Sequence, residues 1–292
     1  MKFRLPGLLV AFSLALVLLP AAPAAEKITP DVVYGHKHGL ALTFDIFQPA
    51  EKANGAGVLF MVSGGWRSRW SPPERAVGRF QDLLDKGFTV FAVRHGSSPK
   101  YDIPEIVEDV RLSVRFIRLH AADYGVEADR LGVFGGSAGG HLSLVLGTTS
   151  DKGNEGASSK VAQTSNRVAA VVAYFPPTDL RNIVPTPPAE NARFPALNFD
   201  PEKAADYSPI VHVSEDDPPT LLVHGDKDNL VPFSNSTKML SAMEGKKVTS
   251  KLLVLEGAGH GFRGEQGKQA SEAMVAWFVE HLAGKQLEGT QK

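Results

Sequence analysis

The stretch Gly135-Gly136-Ser137-Ala138-Gly139 follows directly on the apolar run Leu131-Gly132-Val133-Phe134. Glycines at this spacing permit a turn too tight for larger side chains, with the serine hydroxyl pushed out beyond the end of a strand. The chemistry open to such a serine is attack on a carbonyl through a covalent acyl intermediate. Leu142, Leu144, Val145 and Leu146 then predict a buried helix. Its amino terminus would face the serine and favour negative charge developing there. A serine hydroxyl is a weak nucleophile at neutral pH, so it needs a base within reach and a carboxylate to orient that base. Two downstream segments supply these types in the order serine, acid, histidine. His224-Gly225-Asp226-Lys227-Asp228-Asn229-Leu230-Val231-Pro232 carries two aspartates, and Gly257-Ala258-Gly259-His260-Gly261-Phe262 carries a histidine between glycines. Asp226 follows Gly225 too closely to reach easily over the site, which favours Asp228. A glycine-rich loop with an incidental serine is the plainer alternative, and the order of the later segments argues against it. His141 and His224 read as hydrogen-bonding scaffold. His36 and His38 have no third metal ligand nearby, and no metal or cofactor is implied.

Each candidate lies just beyond an apolar run. Residues 57–62, 88–93, 131–134, 168–173, 220–223 and 250–255 are short and largely continuous in apolar character, as in strands covered on both faces. Residues 31–34 and 40–47 read instead as an antiparallel pair, joined by His36-Lys37-His38-Gly39. The clearest helix is 104–120, where Pro104 suits the first turn and Ile106, Val107, Val110, Val114 and Ile117 share one face. Residues 81–84, 234–243 and 271–282 are further helical stretches. The alternation predicts an α/β fold, a mostly parallel sheet with helices on both faces. In such sheets, sites gather at the carboxyl edge of the strands. Residues 176–209 break the alternation with many prolines and little periodicity. They read as a lid insertion over the serine, with Phe194 and Leu197 overhanging it and its apolar residues outside the main core.

The chain has 292 residues, a formal net charge of −1 and no cysteine. That length suits one large α/β domain. The neutral balance gives no case for nucleic acid or an anionic membrane surface. A basic start, an uncharged run over 8–19 and Ala22-Pro23-Ala24 together read as a signal peptide over 1–24, with cleavage near Ala24 or Ala25. The expected mature protein is a hydrolase domain over 25–292, secreted or periplasmic. It would lack disulfides and lipid, and have no stable membrane anchor, since the apolar run is shorter than a spanning helix needs.

The segments GGSAGGH, HGDKDNLVP and GAGHGF resemble those of α/β-hydrolase fold serine esterases, above all the acetyl and feruloyl esterases and the prolyl-oligopeptidase-like hydrolases. The resemblance extends over nearly the whole mature chain. It implies the α/β-hydrolase fold, and an acid at the aspartate that is followed by two residues and then Val-Pro, which is Asp228; Asp226 is then a turn residue. It implies an oxyanion hole of the Ala138 amide with those of Gly64 and Gly65. Relatives carry His-Gly-Gly-Gly and an aromatic residue in that loop, where this chain has Val62-Ser63-Gly64-Gly65-Trp66. Ser63 is expected to take over part of the bracing that the histidine provides, and Trp66 and Phe194 are expected to bind substrate. The implied activity is hydrolysis of short-chain or polysaccharide-linked acetyl and feruloyl esters. Two other readings stand beside it. One is a prolyl-oligopeptidase-like peptidase, although those relatives carry a large preceding domain and commonly an aromatic residue after the nucleophile. The other is an inactive hydrolase fold kept for binding, although no triad member is missing.

Overall fold

The computed structural model describes residues 26–187, 189 and 193–283, so the expected signal peptide lies outside the described residues. Eight strands form one sheet: β1 (Lys27–Lys37), β2 (Leu40–Gln48), β3 (Gly57–Met61), β4 (Thr89–Val93), β5 (Leu131–Gly136), β6 (Ala170–Tyr174), β7 (Thr220–Gly225) and β8 (Ser250–Leu255). Their spatial order is β1-β2-β4-β3-β5-β6-β7-β8. The first two strands pair antiparallel to each other, and β2 antiparallel to β4; every later pairing is parallel. The helices are α1 (Val77–Leu84), α2 (Ile103–Leu119), α3 (Ala138–Thr148), the single turn α4 (Lys160–Gln163), α5 (Ser234–Gly245) and α6 (Gly264–Phe278). This is the α/β-hydrolase fold, with all the expected strands present.

The core explains why the central strands lack alternation in sequence. Successive side chains of a strand point to opposite faces, and here both faces are covered. Leu59, Phe91, Val93, Val133, Val171 and Ala173 join one apolar cluster with α2, α3 and α5. Val58, Val90, Ala92, Phe134 and Val172 join the other with α1 and α6. The second helix begins as its sequence demands: Asp102 accepts from the Glu105 amide at 3.1 Å, the Glu105 carboxylate reaches back to the Asp102 amide, and Pro104 sits in the first turn.

Two expectations need correction. The hairpin turn is only His38-Gly39, because β1 runs on through Lys37. A two-residue hairpin turn of type I′ needs positive φ at both positions, and His38 (+46°) and Gly39 (+81°) supply it. The proline-rich insertion also does not stand apart from the core. Leu180, Val184, Ala196, Leu197, Phe199 and Ala204 are buried within the same cluster as α3. Short turns of 3-10 helix at Pro195–Leu197 and Pro201–Lys203 let them reach inward without any sequence period.

Candidate active site

The site is built outward from Ser137. This residue lies between β5 and α3 with φ +56° and ψ −119°. A serine at a helix start ordinarily caps the helix with its own hydroxyl. Ser137 makes no such bond; the turned backbone aims its Oγ at the imidazole of His260, 3.0 Å from Nε2. The turn closes so tightly that a Cβ on Gly135 would lie 2.5 Å from the Gly139 carbonyl carbon. Real Cβ atoms do not approach backbone that closely, so glycine is required there.

His260 comes from the loop after β8, and Asp228 from the loop after β7. The His260 Nδ1 lies 2.8 Å from Asp228 Oδ2. Because a carboxylate only accepts, Nδ1 carries the proton and Nε2 is left to accept from Ser137. Asp228 is itself held rigidly, its Oδ1 accepting from the amides of Leu230 (2.8 Å) and Val231 (2.9 Å). Burial alone would raise the Asp228 carboxyl. The Val231 amide, His260 and the Leu230 amide outweigh it and hold the group below the usual carboxylate range. Asp226 stands apart from the imidazole: its Oδ1 accepts from the Gly257 amide at 2.6 Å and ties the acid loop to the histidine loop.

The other two histidines brace. His224 Nε2 donates to the Val231 carbonyl at 3.0 Å, and its Nδ1 accepts from the Ser236 hydroxyl at 2.7 Å. Burial is the first cause holding it below the ordinary histidine pKa. His141 lies wholly buried on α3. Its Nε2 donates to the Tyr207 carbonyl at 2.8 Å, and its Nδ1 accepts the Trp66 indole N–H at 3.2 Å. This is the brace of the oxyanion loop. Ser63 does not provide it, since its buried hydroxyl has no hydrogen-bond partner among the described residues. His38 stacks on Tyr101, and among the described residues no three metal-binding side chains gather with either hairpin histidine or elsewhere.

The oxyanion donors also need correction. Gly64 and Arg67 exchange both backbone hydrogen bonds, at 3.0 and 3.1 Å, around a turn whose central residues Gly65 and Trp66 both have φ +57°. The Gly64 amide is therefore already engaged. Among the described residues the amides of Gly65 and Ala138 find no acceptor, and these two remain for a developing oxyanion.

Trp66, Phe194 and Ser137 line one cavity of about 260 Å³, with Ile183, Leu197 and Leu230. Trp66 is no open wall: it is 4% exposed, its rim anchored on His141 and its ring edge-on to Phe194. The sequence reading missed Phe175, whose ring lies 4.6 Å from that of His260 and also packs on Phe262. Its only sequence signal is its position, directly after β6 at the edge where the candidates converge.

His141 generates a prediction about acid stability. Burial lowers its pKa from 6.5 to about 4, and His95 is lowered to about 4 for the same reason. Below pH 6.5 the unfolded chain takes up protons that the folded chain refuses. The stabilisation is thus complete above that pH and is lost as pH falls toward 4. Urea unfolding at pH 7 and pH 4.5 should show a drop smaller by about 2 kcal/mol in His141→Gln than in wild type. An equal drop in both proteins would mean that His141 is charged in the folded state.

Comparison with known proteins agrees with this geometry. The BD-FAE family model matches residues 44–243. A probable carboxylic ester hydrolase, LipM of Mycobacterium tuberculosis, is 28% identical over 221 residues, covering 70% of this chain and 49% of its own length. Esterase LipQ of the same organism is 28% identical over 289 residues, covering 92% and 66%. The chain thus spans about half to two thirds of the length of these relatives. A truncated carbohydrate esterase from gut microbiota superposes with a TM-score of 0.73 at 26% identity, over 90% of this chain and 98% of that one. No helix among the described residues is long and apolar enough to cross a membrane. With its α/β-hydrolase sheet and a family match spanning the elbow, the oxyanion loop and the acid loop, the chain belongs to the BD-FAE family.

Proposed function

We propose that this protein is an exported serine carboxylic-ester hydrolase that works through an acyl-enzyme on short-chain or polysaccharide-linked esters, with acetyl and feruloyl groups as the class of acyl donors. The observation that carries the reading is the unbroken line from Asp228 Oδ2 through His260 to Ser137 Oγ, at 2.8 and 3.0 Å. In this mechanism Ser137 attacks the ester carbonyl while His260 takes its proton. Asp228 fixes the imidazole tautomer and stabilises its charged form. The Gly65 and Ala138 amides, beside the amino terminus of α3, receive the oxyanion. His260 returns the proton to the departing alcohol, and water admitted to the same site releases the acid. No step calls on a metal or cofactor.

The cavity supports a small acyl group. At about 260 Å³ it lies below the ~300–1,000 Å³ typical of drug-sized ligand sites. Its walls are largely apolar and include Trp66 and Phe194. The carbohydrate esterase named above is similar over nearly its whole length, which supports a sugar-linked ester as the leaving half.

Four measurements test this reading. Ser137→Ala should lower turnover of 4-nitrophenyl acetate by a factor on the order of a million, and a variant keeping a tenth of the wild-type rate would remove Ser137 from the chemistry. Asp228→Asn should cost roughly ten-thousand-fold through the wrong tautomer, and Asp226→Asn far less; the opposite ranking would move the acid to Asp226. In the pocket, Trp66→Ala and Phe194→Ala should each shift relative kcat/KM along a series of nitrophenyl esters of rising chain length. Unchanged ratios for both would take these side chains out of acyl selection. For the export reading, amino-terminal sequencing of protein from the native host should begin near Ala25 or Glu26. An intact Met1 in a membrane fraction would overturn it.

A further inference from the structure

Ser137 opens onto two cavities. Besides the apolar one beside Trp66, it lines a second, of about 430 Å³, on the side of Phe60, Ser63 and Arg79. Those three residues also wall a third cavity of about 240 Å³, which adds Arg69, Arg75 and Arg94. The two spaces are therefore neighbours across a shared wall, and in succession they make a tract that leads away from the nucleophile. Its lining carries four guanidinium groups and one carboxylate, Asp45. That carboxylate is already paired, since Arg94 Nη2 donates to Asp45 Oδ1 at 2.9 Å, and the same nitrogen also reaches Asp31 at 2.7 Å. Asp82 accepts from the hydroxyl of Ser271, a lining residue, at 2.6 Å, and Glu74 lies exposed between Pro73 and Arg75.

Among the described residues Arg69, Arg75 and Arg79 have no carboxylate partner. Arg79 is held instead by the face of Phe60, 5.3 Å from the ring centroid. A cation–π contact fixes a guanidinium while leaving its N–H donors available. The Ser63 hydroxyl, buried and without a partner, lies in the shared wall of both cavities. Buried polar groups are ordinarily satisfied, so the Ser63 hydroxyl lacks an ordinary partner, and the exposed Arg69, Arg75 and Arg79 beside it keep their donors available to an acceptor entering from solvent.

We infer that this tract is a binding site for the alcohol half of the ester, and that this half is an acidic sugar whose carboxylate is received by Arg79, with Arg69 and Arg75 attracting further acidic residues of the same chain. The inference rests on the esterase reading and deepens it. Acyl group and alcohol must leave the tetrahedral centre in different directions. The small apolar cavity suits the acyl chain, and the longer cationic tract suits a polymer. Planar guanidinium groups match carboxylates, and Ser63 offers one further hydrogen bond close to the serine. A small acidic alcohol would fill only the first part of the tract and leave Arg69 and Arg75 unused.

The test compares acetate release from acetylated galacturonic acid oligomers and from their neutral counterparts, with each carboxylate replaced by a hydroxymethyl group. Wild type should favour the acidic oligomer by about tenfold in kcat/KM, mostly through KM, and 0.5 M salt should compress that ratio. In Arg79→Gln the preference should fall to within about twofold, and Arg79→Glu should invert it. Wild-type turnover of 4-nitrophenyl acetate is measured alongside. If that ester is hydrolysed and the two oligomers are equal, the inference is wrong while the esterase reading stands. A preference that survives Arg79→Glu would also overturn it. So would a preference shown for acetylated lactate over its amide but absent from the oligomers.

Discussion

A non-glycine residue at φ +56° and ψ −119° is strained, at a cost on the order of 1–3 kcal/mol, and Ser137 holds this conformation between β5 and α3. The surrounding structure makes any relaxed alternative worse. The Ser137 amide donates to the Tyr174 carbonyl at 2.9 Å, and its own carbonyl accepts from the His141 amide at 2.9 Å. The first bond ties the elbow to β6 and the second starts α3. With both satisfied, the side chain cannot turn back to cap the helix without breaking the backbone frame. The same turn brings the amino terminus of α3 beneath the hydroxyl. Strain, nucleophile orientation and the electrostatics of the helix end therefore come from one local arrangement.

That arrangement reaches the rest of the site through α3. His141, one turn along, carries a bond to Trp66 in one direction and to Tyr207 in the other. The oxyanion loop and the insertion are thus both referenced to the helix that presents the serine, and they also meet directly where Trp66 packs edge-on to Phe194. On the opposite flank the acid and histidine loops are laced together by Asp226 to Gly257 and by the Lys227 amide to the Ala258 carbonyl, at 2.6 and 2.9 Å. A Cβ on Gly225 would fall 2.2 Å from that same carbonyl oxygen, so the loops approach as closely as backbone permits. Such packing keeps a hydrogen-bonded line across three separate loops within reach of one geometry.

What was legible in the sequence was whatever depends on local pattern. Strands buried on both faces declare themselves by unbroken apolar runs, and the glycines of the elbow declare a turn no other residue fits. Boundaries set by pairing were less visible: β1 extends to Lys37 because the hairpin closes in two residues, and nothing in His36-Lys37-His38 says where pairing stops. That the insertion joins the core was not legible, because its buried residues follow no period. Leu180, Ala196 and Phe199 reach the core through irregular turns, and burial of that kind is decided by distant partners. The oxyanion loop shows the same limit. Its glycines were readable, yet the engagement of the Gly64 amide follows from the fold of a four-residue turn, and the use of Trp66 as the brace follows from a histidine 75 positions away.

Three histidines lie around the site, and hydrogen bonding separates their duties. A neutral imidazole has one donor and one acceptor nitrogen. In His141 and His224 the donor faces a backbone carbonyl and the acceptor faces a fixed donor, Trp66 Nε1 or Ser236 Oγ. Taking up a proton would set the acceptor nitrogen of His141 against an indole that cannot accept, and in both rings it would place a charge where burial opposes it. Both rings are thus locked as struts. His224 Nε2 also lies 3.3 Å from Asp228 Oδ2, but its acceptor is filled by Ser236; His260 alone sets its donor on Asp228 and turns its acceptor to the hydroxyl of Ser137, which can part with a proton. Its side chain is 22% exposed, against 0% for those of His224 and Asp228, so an incoming alcohol or water can reach it. The assignment of proton transfer to His260 follows from these partners, since it is the one ring of the three whose acceptor nitrogen faces the nucleophile.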